Sequence, residues 1–374
     1  MELPKLDHLV SELNATESQA SAHRLEDWLS MLRMQGGSDL YLVAGLPPSI
    51  RVDGTIRPLT DAVLDGDDIE AAVFDALPAY AIDSYRSKGY ADASLRRAGG
   101  GRFRINLHRE RGRAAASIRA LPIKPPRLAE LFLPLGIEAL TRIPHGLVLI
   151  GGPTGSGKTT TVAALVDAIN RRDAKHIVTI EDPIEYEHPH QKSVVEQVEI
   201  GVDAPDFPTA LRSAVRQSPD VIVVGEMRDP ETMRIALAAG ETGHLVFSTL
   251  HTSDVTSTVS RISDAFPAER QPTIRQELSM ALAAVMTQIL VPRKDGGRMP
   301  AAELLMMGYG ARQHVRKNAL QHLHQEISMT RQHGSFTFEE SLARLVREGR
   351  LAIEEARARA LHREELDGLL GSAT

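Results

Sequence analysis

The sequence predicts an α/β chain of two domains: a small α+β domain, then a larger one built on a mainly parallel sheet with a helical C-terminus. Three observations predict it. In the second half, four short apolar runs, Gly146–Gly151, Ile177–Ile180, Val221–Val224 and Leu245–Ser248, alternate with helical stretches. Continuous apolar runs of this kind suit parallel strands buried on both faces. The first run leads directly into Gly152-Pro153-Thr154-Gly155-Ser156-Gly157-Lys158-Thr159 and then the helical stretch Thr160–Ile169, which is G-x-x-x-x-G-K-T in the strand–loop–helix setting it requires. Ahead of it, Leu121–Arg127 (LPIKPPR) carries three prolines, a stiff stretch suited to separating domains. The expected boundaries are residues 1–121, a linker over 122–127, and 128–374.

The elements follow in order. Residues 1–35 read as a fairly polar helix in which Leu25, Trp28, Leu29 and Leu32 recur at helical spacing, so one face is apolar. Trp28 fits core or interface packing better than a ligand platform, and Gly36 and Gly37 end the helix. Leu40 with Leu42, and Ile50 with Val52, alternate as strands do, with turn signals at Pro47-Pro48 and Asp53-Gly54. A helix is expected over Asp67–Leu77. Ala91–Leu95 and Gly101–Leu107 read as strands joined by Gly99, Gly100 and Gly101, and Ala114–Leu121 as a further strand ending at Pro122. From about Ala311 the chain is rich in Arg, Glu, Leu and Ala and reads as helical.

Composition narrows the function classes. The 374 residues are 42% hydrophobic and 25% charged, as in ordinary globular proteins, and only 4% aromatic, so the cores are mainly aliphatic. A formal net charge of −6 gives no support for a nucleic-acid-coating protein, and no direct nucleic-acid partner is expected. There is no cysteine, which excludes disulfides, thiol nucleophiles and cysteine-ligated zinc and fits a cytoplasmic protein. The first twenty residues lack the continuous apolar core of a signal peptide, and no apolar run reaches the roughly 18 residues a membrane-spanning helix needs. Membrane association is therefore expected only through a partner.

The glycine-rich loop carries the chemistry. Its glycines let backbone N–H groups close around a β-phosphate, and the following helix adds its N-terminal dipole. Lys158 is placed to bridge β- and γ-phosphate oxygens, and Thr159 to ligate Mg²⁺. Two further runs end in acid: Ile177–Ile180 in Glu181-Asp182-Pro183-Ile184-Glu185, and Val221–Val224 in Gly225-Glu226-Met227-Arg228-Asp229. Ligands of open parallel sheets sit at the carboxyl ends of the strands, so both acidic groups should converge on the phosphates. One carboxylate can hold Mg²⁺ through water while another orients or deprotonates the attacking water. Taken singly, either motif also reads as an ordinary strand-end turn. His244 and His251 flank Leu245–Ser248. Each is either structural or a reader of nucleotide state or proton shuttle. Their odd spacing puts them on opposite sides of an extended strand, which argues against a shared metal ion.

The motifs GPTGSGKTT, TIEDPIE, PDVIVVGEMRD and TGHLVFSTLHT occur in that order. They resemble the Walker A loop, Asp box, Walker B motif and His box of the secretion ATPases of the type II and type IV pilus superfamily, and within it most nearly the type IV pilus retraction ATPases (the PilT type). SDLYLVAGLPPSIRVDG, GRFRIN, DAFPAER and TFEESLARLVREG extend the resemblance from about Ser38 to the end. It implies a cytoplasmic homo-hexamer, peripheral at the inner membrane through a pilus platform protein, with a paralogous pilus ATPase as a possible further partner. Each subunit would carry an N-terminal PAS-like domain and a C-terminal RecA-like ATPase domain, with ATP and Mg²⁺ between them. The resemblance assigns Glu185 and Glu226 as catalytic carboxylates, Glu226 beside the metal with Thr159, His244 and His251 to the His box, and Arg261 nearby. Gly152 to Thr160 form the nucleotide loop, and the N-terminal domain supplies arginines, for which Arg104 and Arg119 are best placed. The extension ATPases resemble this chain but carry a four-cysteine zinc module that it cannot build, which favours retraction. Two departures stand against that. The N-terminus extends beyond the family's usual start. Where the family has AIRNLIRE, this chain has Gly310-Ala311-Arg312-Gln313-His314-Val315-Arg316-Lys317, so His314 and Lys317 replace an apolar and an acidic residue. The accessory paralogue of the retraction motor also departs there.

Overall fold

The computed structural model describes residues 24–97, 101–122 and 124–371. The expectations for residues 1–23 and for Gly99-Gly100 lie outside them. The chain divides into two compact units, Met1–Ile123 and Lys124–Thr374.

In the first unit, helix α1 (residues 24–34) precedes strands β1 (Asp39–Val43), β2 (Ser49–Val52) and β3 (Thr55–Pro58). Helices α2 (Gly66–Phe74) and α3 (Ala79–Lys88) and strands β4 (Tyr90–Arg97), β5 (Gly101–Glu110) and β6 (Arg113–Leu121) follow. The sheet runs β3-β2-β1-β6-β5-β4, antiparallel at every pairing. Asp53 and Gly54 have φ of 49° and 83°; two consecutive left-handed residues are what a tight two-residue hairpin demands. One face of the sheet is the core. Leu40, Leu42, Ile50, Ile105, Leu107 and Ile118 are buried there with Leu25, Trp28, Leu29 and Leu32 of α1 and with Ile69, Val73 and Tyr85. The helix expected over Asp67–Leu77 is α2, which ends at Phe74, and α3 follows as a second helix that was not expected. Pro78, which cannot donate within a helix interior, stands at the N-cap of α3, and Gly89 closes α3 at φ 82°.

The second unit holds β7 (Gly146–Gly151), α4 (Lys158–Arg172), β8 (His176–Glu181), β9 (Val194–Glu199), α5 (Phe207–Ala214), β10 (Val221–Val224), α6 (Pro230–Glu241) and β11 (Leu245–Leu250). It continues with α7 (Val255–Asp264), α8 (Gln271–Ala281), β12 (Leu282–Pro292) and β13 (Arg298–Met306), and ends in helices α9 to α13 (Tyr309–Arg316, Leu323–Met329, Phe338–Arg347, Ile353–Arg359 and Arg363–Gly371). The sheet order is β13-β12-β7-β11-β10-β8-β9. Every pairing is parallel except β12 with β13. Leu147, Val148, Leu149 and Ile150 of β7 are all fully buried, and they divide between the cores on the two faces of the sheet. Each such side chain stabilises the fold by about 1.5–3 kcal/mol, so the strand that feeds the glycine-rich loop is among the firmest in the unit.

The four strands read from apolar runs are β7, β8, β10 and β11, with β8 and β11 slightly longer than expected. Three strands, β9, β12 and β13, were not among those read from the sequence. β12 (LAAVMTQILVP) carries Val285, Thr287, Ile289 and Val291 at alternate positions, but it follows α8 with no turn residue between them, and an apolar run of that kind does not separate helix from strand; it pairs with β7 on one side and β13 on the other. Among the described residues no helix is long and apolar enough to cross a membrane.

Gly240, in α6, faces the start of β7. A Cβ there would lie 3.0 Å from Leu147 N and 3.2 Å from Gly146 C, both backbone atoms that cannot swing away. Helix propensity alone favours alanine over glycine by about 1 kcal/mol. Gly240→Ala is nevertheless expected to lower the melting temperature, measured by circular dichroism; a raised melting temperature would show that α6 is free to shift off β7.

Candidate active site

β7 ends at Gly151, and the loop begins with Gly152 at φ 149°. A Cβ on Gly152 would sit 2.4 Å from Gln288 O and 2.5 Å from Ser156 Oγ, so only glycine lets the chain turn there. Gly155 and Gly157 are left-handed at φ 75° and 87°, and Gly157 is the N-cap of α4. The first N–H groups of α4 have no partner within the helix and carry the positive end of its dipole, which suits an anion. Pro153, Thr154 and Gly155 form the exposed crest of the loop, while Ser156 and Lys158 are buried. The Ser156 Oγ has no hydrogen-bond partner among the described residues, a polar atom to spare inside a loop shaped for phosphate.

Lys158 folds back over its own loop. Its Nζ donates to Gly152 O at 2.8 Å and Pro153 O at 3.0 Å. Burial pulls its pKa below the usual lysine value, while the negative charges of Glu226 and Glu185 oppose that shift. Both expected catalytic carboxylates therefore lie within electrostatic reach of this one ammonium. They arrive from neighbouring strands, since Ile180 of β8 pairs with Val224 of β10 and Gly225 N donates to Ile180 O at 2.8 Å. One Glu226 oxygen is ion-paired with Arg228 Nη2 at 2.5 Å, and the other is 3.7 Å from His251 Nε2. The His251 Nδ1 is 3.4 Å from Thr154 Oγ1, so one imidazole spans the loop crest and Glu226. Burial, then the nearby Lys158 charge, hold the His251 pKa below its usual value, which favours the neutral ring at neutral pH.

Glu185 follows a turn fixed by Glu181. The Glu181 carboxylate accepts from Thr179 Oγ1 at 2.8 Å and from Glu185 N at 3.4 Å, and burial raises its pKa. Thr159 is half-buried at the second position of α4. The Thr160 hydroxyl pairs with Tyr186 OH at 2.9 Å.

The remaining expected residues lie elsewhere. His244 stands before β11, next to the start of β7: Gly146 N donates to His244 O at 2.9 Å, and the ring Nδ1 is 3.0 Å from Ala239 O. The six residues of β11 separate it from His251, roughly 20 Å at about 3.3 Å per residue. Distance along the strand, rather than the face each occupies, keeps the two histidines from sharing a metal. Within one chain His244 does not join the phosphate loop. Arg261 is exposed in the last turn of α7, with no carboxylate in salt-bridge range among the described residues. In the first unit, Arg104 pairs across strands with Arg119, and they meet Asp92 at 3.8 Å and Asp39 at 2.8 Å respectively. Sequence pattern did not single out Arg228, Tyr186 or Gln288 as site residues. Arg228 stands two residues after Glu226 in the acidic motif, which was its only signal; Gln288 lies on a strand that was not read from the sequence.

A central parallel strand running into a phosphate-shaped loop, over a buried lysine with two carboxylates in reach, defines a P-loop nucleotide-binding protein. The chain belongs to the Type II/IV secretion system protein family, which matches residues 129–358. It is 40% identical over 336 residues to the type IV pilus retraction ATPase PilT of Pseudomonas aeruginosa, spanning 90% of this chain and 98% of that protein. The type IV pilus ATPase PilU of the same organism is 36% identical over 336 residues, spanning 90% of this chain and 88% of that protein. The crystal structure of the pilus retraction motor PilT with bound ADP matches at a TM-score of 0.84 and 40% identity, over 92% of this chain and 98% of that one. The chain is thus a P-loop ATPase of this family.

The segment that carries Glu185 continues to His188, whose ring is buried and whose Nδ1 has no partner among the described residues. Burial pushes its pKa down to about 4 from the usual 6.5. The unfolded chain takes up that proton near pH 6.5 while the folded one resists until about 4, so stability is complete above pH 6.5 and falls as pH drops toward 4. Between pH 7.5 and 5 the wild type should lose about 2 kcal/mol more than His188→Phe, read from urea midpoints. Parallel losses would show that His188 is not the group responsible.

Proposed function

We propose that this chain hydrolyses ATP as one subunit of a homo-hexameric ring that drives type IV pilus retraction. The ring would work at the cytoplasmic face of the inner membrane, against a platform protein of the pilus machine. The observation that carries this reading is the intact loop–carboxylate–histidine site in a chain that resembles a retraction ATPase over nearly its whole length.

In this reading the loop from Gly152 to Thr160 holds the phosphates, and Lys158 exchanges its two carbonyl partners for β- and γ-phosphate oxygens. Thr159 and Glu226 supply hard oxygen ligands, Glu226 through water; the fit is to Mg²⁺, which keeps most of its own waters. The ion, when bound, would neutralise charge between the phosphates. Glu185 and Glu226 orient the attacking water and take its proton. His251, between Thr154 and Glu226, reports to the loop crest whether Glu226 is engaged. Arg104, Arg119 and Arg261 are assigned to the charge that develops on the transferred phosphoryl group, offered across the ring. His244 is assigned to bracing β7 against β11.

A second reading, an accessory pilus ATPase, rests on one observation. At α9, where the family has an apolar residue, His314 Nε2 lies 3.3 Å from Glu326 Oε1 and its ring packs 5.1 Å from that of His322. Retraction at normal speed and force in a strain lacking the gene would remove the motor reading. Normal retraction with this chain as the only such ATPase present would remove the accessory one.

Purified protein should turn over ATP as a hexamer. Glu226→Gln should keep nucleotide affinity and lose about 10²-fold or more in turnover, as for loss of a general base. Lys158→Ala should lose affinity itself. Near-normal turnover of the first would take Glu226 out of the catalytic role, and unchanged affinity of the second would take Lys158 off the phosphates.

A further inference from the structure

The phosphate loop is wrapped around a residue that belongs to none of its motifs. Thr287 of β12 pairs with Gly151 of β7, which brings the next residue, Gln288, beside the first residue of the loop. Gln288 is 2% exposed. Its Nε2 donates to Ser156 O at 2.7 Å, and its Oε1 accepts from Thr161 Oγ1 at 2.8 Å. The backbone leaves no slack around it. A Cβ on Gly152 would lie 2.4 Å from Gln288 O, and one on Gly157 would lie 3.3 Å from Gln288 Nε2.

The consequence follows from peptide geometry. In a planar trans peptide the C=O and the next N–H point in opposite directions. Holding Ser156 O toward Gln288 therefore aims Gly157 N–H the other way, into the loop. The Ser156 carbonyl is buried and needs a donor, and the amide of Gln288 serves it with its donor while its acceptor takes the Thr161 hydroxyl. Thr161 in turn is tied into the first turn of α4, its N donating to Gly157 O at 3.0 Å.

We propose that Gln288 is a positioning residue for phosphate binding: its side-chain amide pins the Ser156–Gly157 peptide with the N–H directed at the bound phosphate. The proposal rests on the nucleotide-loop assignment.

The test measures ADP affinity of the full-length protein by titration calorimetry, alongside the melting temperature without nucleotide. Gln288→Met keeps the length and removes both polar atoms. It should weaken ADP binding about tenfold or more, given what an unmet buried carbonyl and a misaimed donor cost, while leaving the unliganded protein folded. Gln288→Glu keeps the acceptor but loses the donor at high pH. It should bind ADP worse than Gln288→Met at pH 8. It should recover at least severalfold relative to wild type at pH 6, because a protonated carboxyl donates to Ser156 O as the amide does. Protonation also removes a buried negative charge beside the phosphates, so the deciding comparison is at pH 6, where Gln288→Glu should bind ADP better than Gln288→Met because only it offers a donor. Affinity within twofold of wild type for Gln288→Met, or an equal deficit of Gln288→Glu at both pH values, would overturn the role of Gln288. Wild-type protein that bound no ADP would instead overturn the nucleotide assignment itself.

Discussion

A cradle that offers backbone N–H groups to an anion must turn its carbonyls toward the protein, and each buried carbonyl needs a donor. The second unit is arranged around that constraint. The carbonyls of Gly152 and Pro153 take the Lys158 ammonium, and that of Ser156 takes the Gln288 amide. The donors come from opposite sides, one from the start of α4 and one from β12, the strand next to β7. β7 itself cannot drift, because four of its consecutive side chains are fully buried between the two cores. The parallel sheet thus fixes the loop's origin, and the two donors fix its curvature before a ligand arrives.

The same economy governs charge. Lys158 is buried, and a buried ammonium is costly unless it is compensated. Here it has two carbonyl partners and the fields of Glu226 and Glu185. A phosphate entering the loop would take over as the ammonium's partner and would be repelled by both carboxylates. Glu226 already holds Arg228 and lies near His251. A metal ion or a repositioned water is the natural way to relieve that repulsion, so the electrostatics of the loop and the chemistry assigned to it call for the same additional group.

What was legible in the sequence was what local pattern encodes. The apolar runs named the inner strands because burial on both faces leaves no charged residue in them, and the glycine spacing named the loop because its backbone angles exclude side chains. Asp53-Gly54 named a hairpin for the same reason. The sequence hid whatever depends on pairing across long separations. β12 runs on from α8 without a turn signal, and its place next to β7 is set by pairing across the chain, so Gln288, 132 residues from Ser156, could not be placed beside the loop from pattern alone. His244 shows the reverse error. It belongs to a recognisable motif, but the length of β11 carries it to the far end of the sheet.

The departures at α9 lie outside the phosphate loop and its carboxylates. Arg312 donates to Ser279 O at 2.7 Å and Met280 O at 2.9 Å, and so satisfies the last carbonyls of α8; Arg316 reaches Ser279 Oγ at 3.4 Å. Both arginines survive the comparison with the family motif, and their structural duty explains why: they seat α9 on α8. The two exchanged residues leave that seat intact. His314 turns to Glu326, and Lys317 is exposed just beyond the helix. Tyr309, at the start of the same helix, is 81% exposed. The changes therefore alter the charge α9 displays without altering how it is held.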